Sequence, residues 1–115
     1  MGSAPGRYRL QFVPQAREEW DKLDGSVRAQ FAKVLLRRLE MPKVPSAALT
    51  SMPDCYKVKL RSTGFRLVYQ VQDDVLVLLT IAVGKRDKSA VYDAAKLRLT
   101  DNAPVKSDRK PRSRK

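Results

Sequence analysis

The chain has no histidine and a single cysteine, Cys55. The first absence removes the commonest acid–base group and metal ligand of proteins, and with it the usual zinc sites. The second removes any intrachain disulfide. Long apolar runs are missing too: the longest, Val75 to Val83, is broken by Thr80 and falls far short of a bilayer span. The N-terminus lacks the charged-then-apolar pattern of a secretion signal, so a cytoplasmic location without a membrane partner is expected. Carboxylates are scarce, with 12 Asp and Glu against 24 Lys and Arg. Those present do not suggest a two-metal cluster, because Asp73 and Asp74 fall in a turn and Glu18, Glu19 and Asp21 on a helix surface. Neither a metal nor another cofactor is expected.

What the chain has in quantity is positive charge. A net charge of +12 and a pI near 10.3 on one small domain point to nucleic acid, an acidic protein partner, or both. The 115 residues leave room for one domain, and 43% hydrophobic content furnishes one modest core. Three segments are expected: a flexible leader over 1–6, a folded domain over 7–100, and a disordered basic tail over 101–115. In the tail, Lys106, Arg109, Lys110, Arg112, Arg114 and Lys115 accompany one large aliphatic, Val105, too little apolar surface to offset ordering entropy.

Within the domain, Tyr8, Leu10 and Phe12 alternate with Arg9 and Gln11, which predicts a strand with one buried face; Pro14 stops it and opens a helix. Ala16, Trp20 and Leu23 keep helical spacing until Asp24-Gly25. Ser26 is expected to cap a second helix with the apolar stripe Val27, Phe31, Val34, Leu35 and Leu39, leaving Arg28, Lys33, Arg37 and Arg38 mostly outside it. A loop from Lys43 to Asp54 leads into a strand pair. Gln72-Asp73-Asp74 then turns into Val75–Val83, apolar on both faces and so expected between the second hairpin strand and the N-terminal strand. Ser89 to Leu99 reads as a short helix. The expected class is α+β, a four-stranded and mainly antiparallel sheet with an N-terminal helical hairpin and a short C-terminal helix.

The strand pair carries the chemistry. Tyr56, Val58 and Leu60 alternate with Cys55, Lys57 and Lys59, and beyond the turn Leu67 and Tyr69 alternate with Arg66 and Gln70. One face is apolar; the other sets Lys57 and Lys59 beside Arg66 across the hairpin. Cleavage of RNA by the 2′-hydroxyl needs a base, an acid and positive charge around the phosphorane. Without histidine, what remains is Lys, Arg and Tyr. Crowded cations disfavour a lysine's charged form, which favours proton transfer, while Arg66 and Arg86 stay charged and suit the phosphorane. Tyr92 can exchange a proton or stack on a base. Arg61 and Lys85 are further candidates for RNA binding. A solvated basic strand face is the competing reading of the same residues.

The stretch Met52-Pro53-Asp54-Cys55-Tyr56-Lys57-Val58-Lys59-Leu60-Arg61-Ser62, then Gly64-Phe65-Arg66-Leu67-Val68-Tyr69-Gln70-Val71, then Val83-Gly84-Lys85-Arg86-Asp87 with Val91-Tyr92, closely resembles the RelE toxins of bacterial type II toxin–antitoxin systems, in the RelE/ParE superfamily. The resemblance covers about Tyr8 to Leu99, including Glu19-Trp20-Asp21-Lys22-Leu23. It implies a small α+β toxin that acts as a ribosome-dependent mRNA endonuclease in the A site and inhibits translation. It also implies a RelB-like antitoxin, for which an acidic amphipathic segment complements the charge. The family's catalytic positions fall here on Lys57, Lys59, Arg66, Arg86 and Tyr92. Where the family often reads Leu-Arg-Gly, this chain has Leu49-Thr50-Ser51, so one substrate-contacting arginine is replaced by Thr50.

Two other classes fit the residues. One is a ParE-like toxin that shares the fold and poisons gyrase without cutting RNA. The other is a non-catalytic basic RNA-binding module.

Overall fold

The computed structural model describes residues 8–85 and 90–101. The expected leader, Arg86 and the basic tail beyond residue 101 lie outside them. The elements run β1 (Arg9–Phe12), α1 (Pro14–Asp21), α2 (Gly25–Arg38), a 3-10 turn at Pro45–Ala47, β2 (Cys55–Lys59), β3 (Phe65–Gln72), β4 (Val77–Lys85) and α3 (Ala90–Asp101). This is the expected order.

Pro14 starts α1 at the position where its missing N–H has no helical partner to lose. The cap of α2 is Asp24, not Ser26: its carboxylate accepts the Ser26 backbone N–H at 3.2 Å and the Ser26 hydroxyl at 2.6 Å. A carboxylate accepts more strongly than a hydroxyl, and its earlier position lets it reach the free N–H groups of the first turn. Those bonds hold the Asp24 carboxyl below the usual carboxylate range. From α2, Arg28 Nη1 donates back to the Leu23 carbonyl at 2.8 Å and to the Trp20 and Asp21 carbonyls at 3.4 Å, closing the end of α1.

The sheet order is β1-β4-β3-β2, with β4 central as its apolar faces require. β2, β3 and β4 are antiparallel, and β1 joins β4 in parallel, Arg9 against Val77, so the sheet is mixed. The helical hairpin buries one face: Val27, Phe31 and Leu35 meet Val58, Leu67, Tyr69 and Leu78. Phe31 is fully buried, and its truncation to alanine should cost about 3–5 kcal/mol. On the opposite face α3 packs over β3 and β4, with Val91 and Ala95 against Val68, Ile81 and Ala82. On the β2 side of that face Met52 covers Cys55, and among the described residues α3 does not extend over the Lys57–Lys59 end.

One irregularity decides which way the end of β4 faces. Val68 pairs with Ala82 but Tyr69 pairs with Thr80, so Ile81 is an extra residue in β4. Such a bulge shifts the alternation by one. Ile81 and Ala82 both join the α3-side core, and beyond them Gly84 faces α3 while Val83 and Lys85 turn to the hairpin face.

Two polar clasps complete the fold. Arg98 on α3 binds Glu19 on α1 through both terminal nitrogens, at 2.7 and 2.8 Å, and Arg98 Nη1 also donates to the Ile81 carbonyl at 3.1 Å. Glu19 in turn accepts the Val83 N–H at 3.0 Å, so one carboxylate ties α1, β4 and α3 together. At the far end Asp73 accepts from both the Tyr8 phenol and the Lys43 ammonium, joining the β3–β4 turn to the chain before β1 and the loop after α2.

Candidate active site

On the open half of the α3-side face, Lys59 lies directly opposite Arg66 in the β2–β3 register, and Lys57 one pleat further along, opposite Val68. Directly opposed residues on one face have Cβ atoms about 5 Å apart, so strand pairing alone brings these cations together. Arg66 is half-buried and stands opposite Gly84 on its other flank. Its guanidinium sits 5.9 Å from the centre of the Tyr92 ring, which the first turns of α3 deliver. Arg66 Nε is buried and has no hydrogen-bond partner among the described residues.

Gly84 makes this approach of helix and sheet possible. A Cβ there would stand 3.0 Å from Val91 Cγ2, inside ordinary contact distance. The side chain that is absent is the room in which α3 settles, and Tyr92 follows Val91.

No ion pair among the described residues neutralises the cluster. Those present, Arg17–Asp21, Lys43–Asp73 and Glu19–Arg98, all lie elsewhere. Uncompensated cations held on rigid strands have unspent charge for an anion. Cys55 faces the same side but is buried, and burial, with Asp54 adding a smaller effect, pushes its thiol up to about 12, so it offers no nucleophile. Among the described residues no three Cys, Asp or Glu side chains gather.

The structure therefore brings together Lys57, Lys59, Arg66 and Tyr92, with Arg61 exposed in the turn beyond Lys59. Arg86 lies outside the described residues. Lys85 is not brought to the cluster: its ammonium stands 5.6 Å from the Phe65 ring centre, on the hairpin face. The bulge at Ile81 is the reason, since plain alternation would have sent Lys85 to the side of Arg66.

A further cation, Arg38, comes from the end of α2, where helical spacing alone set it mostly outside the apolar stripe. It is half-buried, with its guanidinium 5.7 Å from the Tyr69 ring centre. Its Nη1 donates to the Tyr69 phenol at 2.8 Å and to the Lys57 carbonyl at 3.3 Å, on the outer edge of β2 where Ala48 bridges Tyr56. The phenol donates its own hydrogen bond to the Pro42 carbonyl at 2.6 Å, and burial raises its pKa above the ordinary tyrosine value. Arg38, Ser46, Ala47, Lys57, Lys59 and Arg61 line a cleft of about 430 Å³ along that edge. The signal was present, because position 38 continues the spacing of Phe31, Val34 and Leu35.

This fold and this basic site define a class of small toxins. The family model described as ParE toxin of the type II toxin–antitoxin system parDE matches residues 10–90. The mRNA interferase toxin RelE of Escherichia coli strain K12 is 50% identical over 92 residues, which are 80% of this chain and 97% of that protein. The crystal structure of the isolated E. coli RelE toxin superimposes with a TM-score of 0.68 at 49% identity, over 80% of this chain and 98% of that one. RelE in the intact E. coli RelBE toxin–antitoxin complex matches equally, with a TM-score of 0.68 over 70% of this chain and 99% of that one. The chain belongs to the RelE family of type II toxin–antitoxin toxins.

Proposed function

We propose that the protein is a ribosome-dependent mRNA endonuclease that cuts the codon in the A site by metal-independent attack of the 2′-hydroxyl. The observation that carries the reading is the pairing of Lys59 with Arg66 over Tyr92, which no ion pair among the described residues neutralises. The 50% identity to a protein named for mRNA interferase activity supports it.

In the proposed reaction Lys57 or Lys59 takes the 2′-hydroxyl proton, the 2′-oxygen bonds to phosphorus, and the phosphorus–O5′ bond breaks as the leaving oxygen is protonated. A 2′,3′-cyclic phosphate and a 5′-hydroxyl result. Arg66, with Arg86, stabilises the phosphorane; one well-aimed donor is typically worth about 3 kcal/mol. Tyr92 orients the nucleotide or shares in proton transfer. Toeprinting on programmed ribosomes should show A-site cuts that vanish in Lys57→Ala and Arg86→Ala. Wild-type protein that leaves the message intact overturns the proposal.

The partner is a RelB-like antitoxin with an acidic amphipathic segment, supported by the RelBE structure and by the +12 charge of this chain. The site of action is the cytoplasm. Among the described residues no helix is long and apolar enough to cross a membrane. The match to a family model described for ParE keeps a gyrase-directed reading in play. Inhibition of supercoiling at low ratio to gyrase, without RNA cuts, would favour it.

A further inference from the structure

The cleft along the outer edge of β2 is more than the flank of the catalytic cluster. Arg38, Lys57, Lys59 and Arg61 line it, and no carboxylate does. Lys57 and Lys59 belong to both the cleft and the open face, so the basic surface is continuous from Arg66 round the edge to Arg38. Arg38 is also the most firmly held of these cations. The Tyr69 phenol and the Lys57 carbonyl hold its Nη1, and Nη2 makes no hydrogen bond within the described residues. A guanidinium fixed through one nitrogen keeps the rest of its planar fork for two oxygens of one phosphate.

We propose that this cleft binds a second phosphodiester of a single-stranded RNA, away from the one being cut, and that Arg38 is the residue that grips it. The proposal rests on the reading of the protein as an RNA-cutting enzyme. An amphipathic protein segment would need an apolar floor, and Ala47 is the one apolar residue in the lining. Successive cations along one strand edge instead suit a repeating anion.

The test uses the full chain and a fully 2′-O-methylated RNA hexanucleotide, which binds but has no nucleophile, followed by fluorescence anisotropy across a salt series. A dinucleotide of the same chemistry is too short to span both sites. Arg38→Gln should weaken hexanucleotide binding about tenfold and flatten the salt slope by about 0.7, one phosphate's worth on a single strand. Arg38→Lys should keep the slope and lose part of the affinity. Because Arg38 also braces Tyr69, the deciding variant is Ser46→Asp, which places a carboxylate in the cleft from an exposed position; it should weaken the hexanucleotide with melting temperature unchanged. Dinucleotide binding should respond much less to each of them, since only Lys57 and Lys59 are shared with the cluster. Equal affinity and slope in folded Ser46→Asp and Arg38→Gln overturn the proposal, as does an equal loss with the dinucleotide. Loss of binding to an acidic amphipathic peptide or to vacant ribosomes, with the hexanucleotide unaffected, would assign the cleft to a protein or to ribosomal RNA and also overturn it. Wild-type protein that fails to cut on the ribosome sinks the endonuclease reading, whereas an unchanged salt slope sinks only this cleft.

Discussion

Val91 Cγ2 lies 3.0 Å from the place a Cβ on Gly84 would occupy. That distance sets how deeply α3 can settle, and therefore how Tyr92 meets Arg66. A methyl at position 84 has two opposed effects. Replacing a strand glycine recovers about 0.5–1 kcal/mol of chain entropy, while overpacking costs about 1–3 kcal/mol. Gly84→Ala should therefore be less stable by about 1 kcal/mol, and its single-turnover cleavage on the ribosome should slow roughly tenfold because Tyr92 is displaced. Wild-type rates in the variant would show that the helix position is not critical.

The Glu19–Arg98 clasp should be a stability element with a measurable coupling. The side chains are 33% and 17% exposed, so the charges are only partly screened. Losing Arg98 leaves Glu19 with the Val83 N–H alone. Arg98→Met should cost about 1–3 kcal/mol, below the range for fully buried pairs because Glu19 is a third exposed. In urea titrations Glu19→Gln should cost less in the Arg98→Met background than in wild type; strictly additive losses would deny the coupling.

Acid should loosen two places first. Asp73 is held below its ordinary value mainly by its bonds from Lys43 and Tyr8, and Asp24 by its bonds from Ser26. A carboxyl with a depressed folded-state pKa adds stability that is present above its unfolded pKa, about 3.9, and is lost as pH falls through the folded value. The melting temperature of wild type should thus decline below about pH 4. An Asp24→Asn, Asp73→Asn double variant should start lower at pH 7 and converge with wild type near pH 2. Both groups are exposed, so the shift should be small; parallel curves would remove these carboxyls from the acid response.

Leu76 holds φ at 54° in the turn between β3 and β4, a left-handed conformation in which its Cβ crowds the carbonyl. Asp54 shares that conformation, with φ at 63°, but its short polar side chain tolerates it. Leu76 is 39% exposed and gives up little packing. Leu76→Asn should raise stability by about 1 kcal/mol, read as a higher urea midpoint. An unchanged or lower midpoint would mean that the leucine's contacts outweigh the strain.

Much of this architecture was legible along the chain because it is written in short periods. Alternation in Tyr56–Leu60 and Phe65–Gln70 marked the hairpin, and a strand apolar on both faces placed β4 at the centre. The pairing of Lys59 with Arg66 followed from a short turn. Other features have no local period. The extra residue at Ile81 cannot be seen in a run of apolar side chains that all look alike, so nothing in the sequence showed that Lys85, a candidate for RNA binding, lies over Phe65. Glu19 looked like a solvated helix carboxylate, since its partner Arg98 is 79 positions away. Asp24 outcompeted Ser26 for the cap because both are good caps and only backbone geometry chooses between them.

The parallel pairing of β1 with β4 bears on when the molecule comes into being. Arg9 cannot find Val77 until almost the whole domain has left the ribosome, and the helix that carries Tyr92 follows later still. An edge strand made first must wait for a central strand made near the end, a long-range closure that folds slowly. A chain that stops short of β4 therefore lacks the strand that joins β1 to β3 and on which α3 settles.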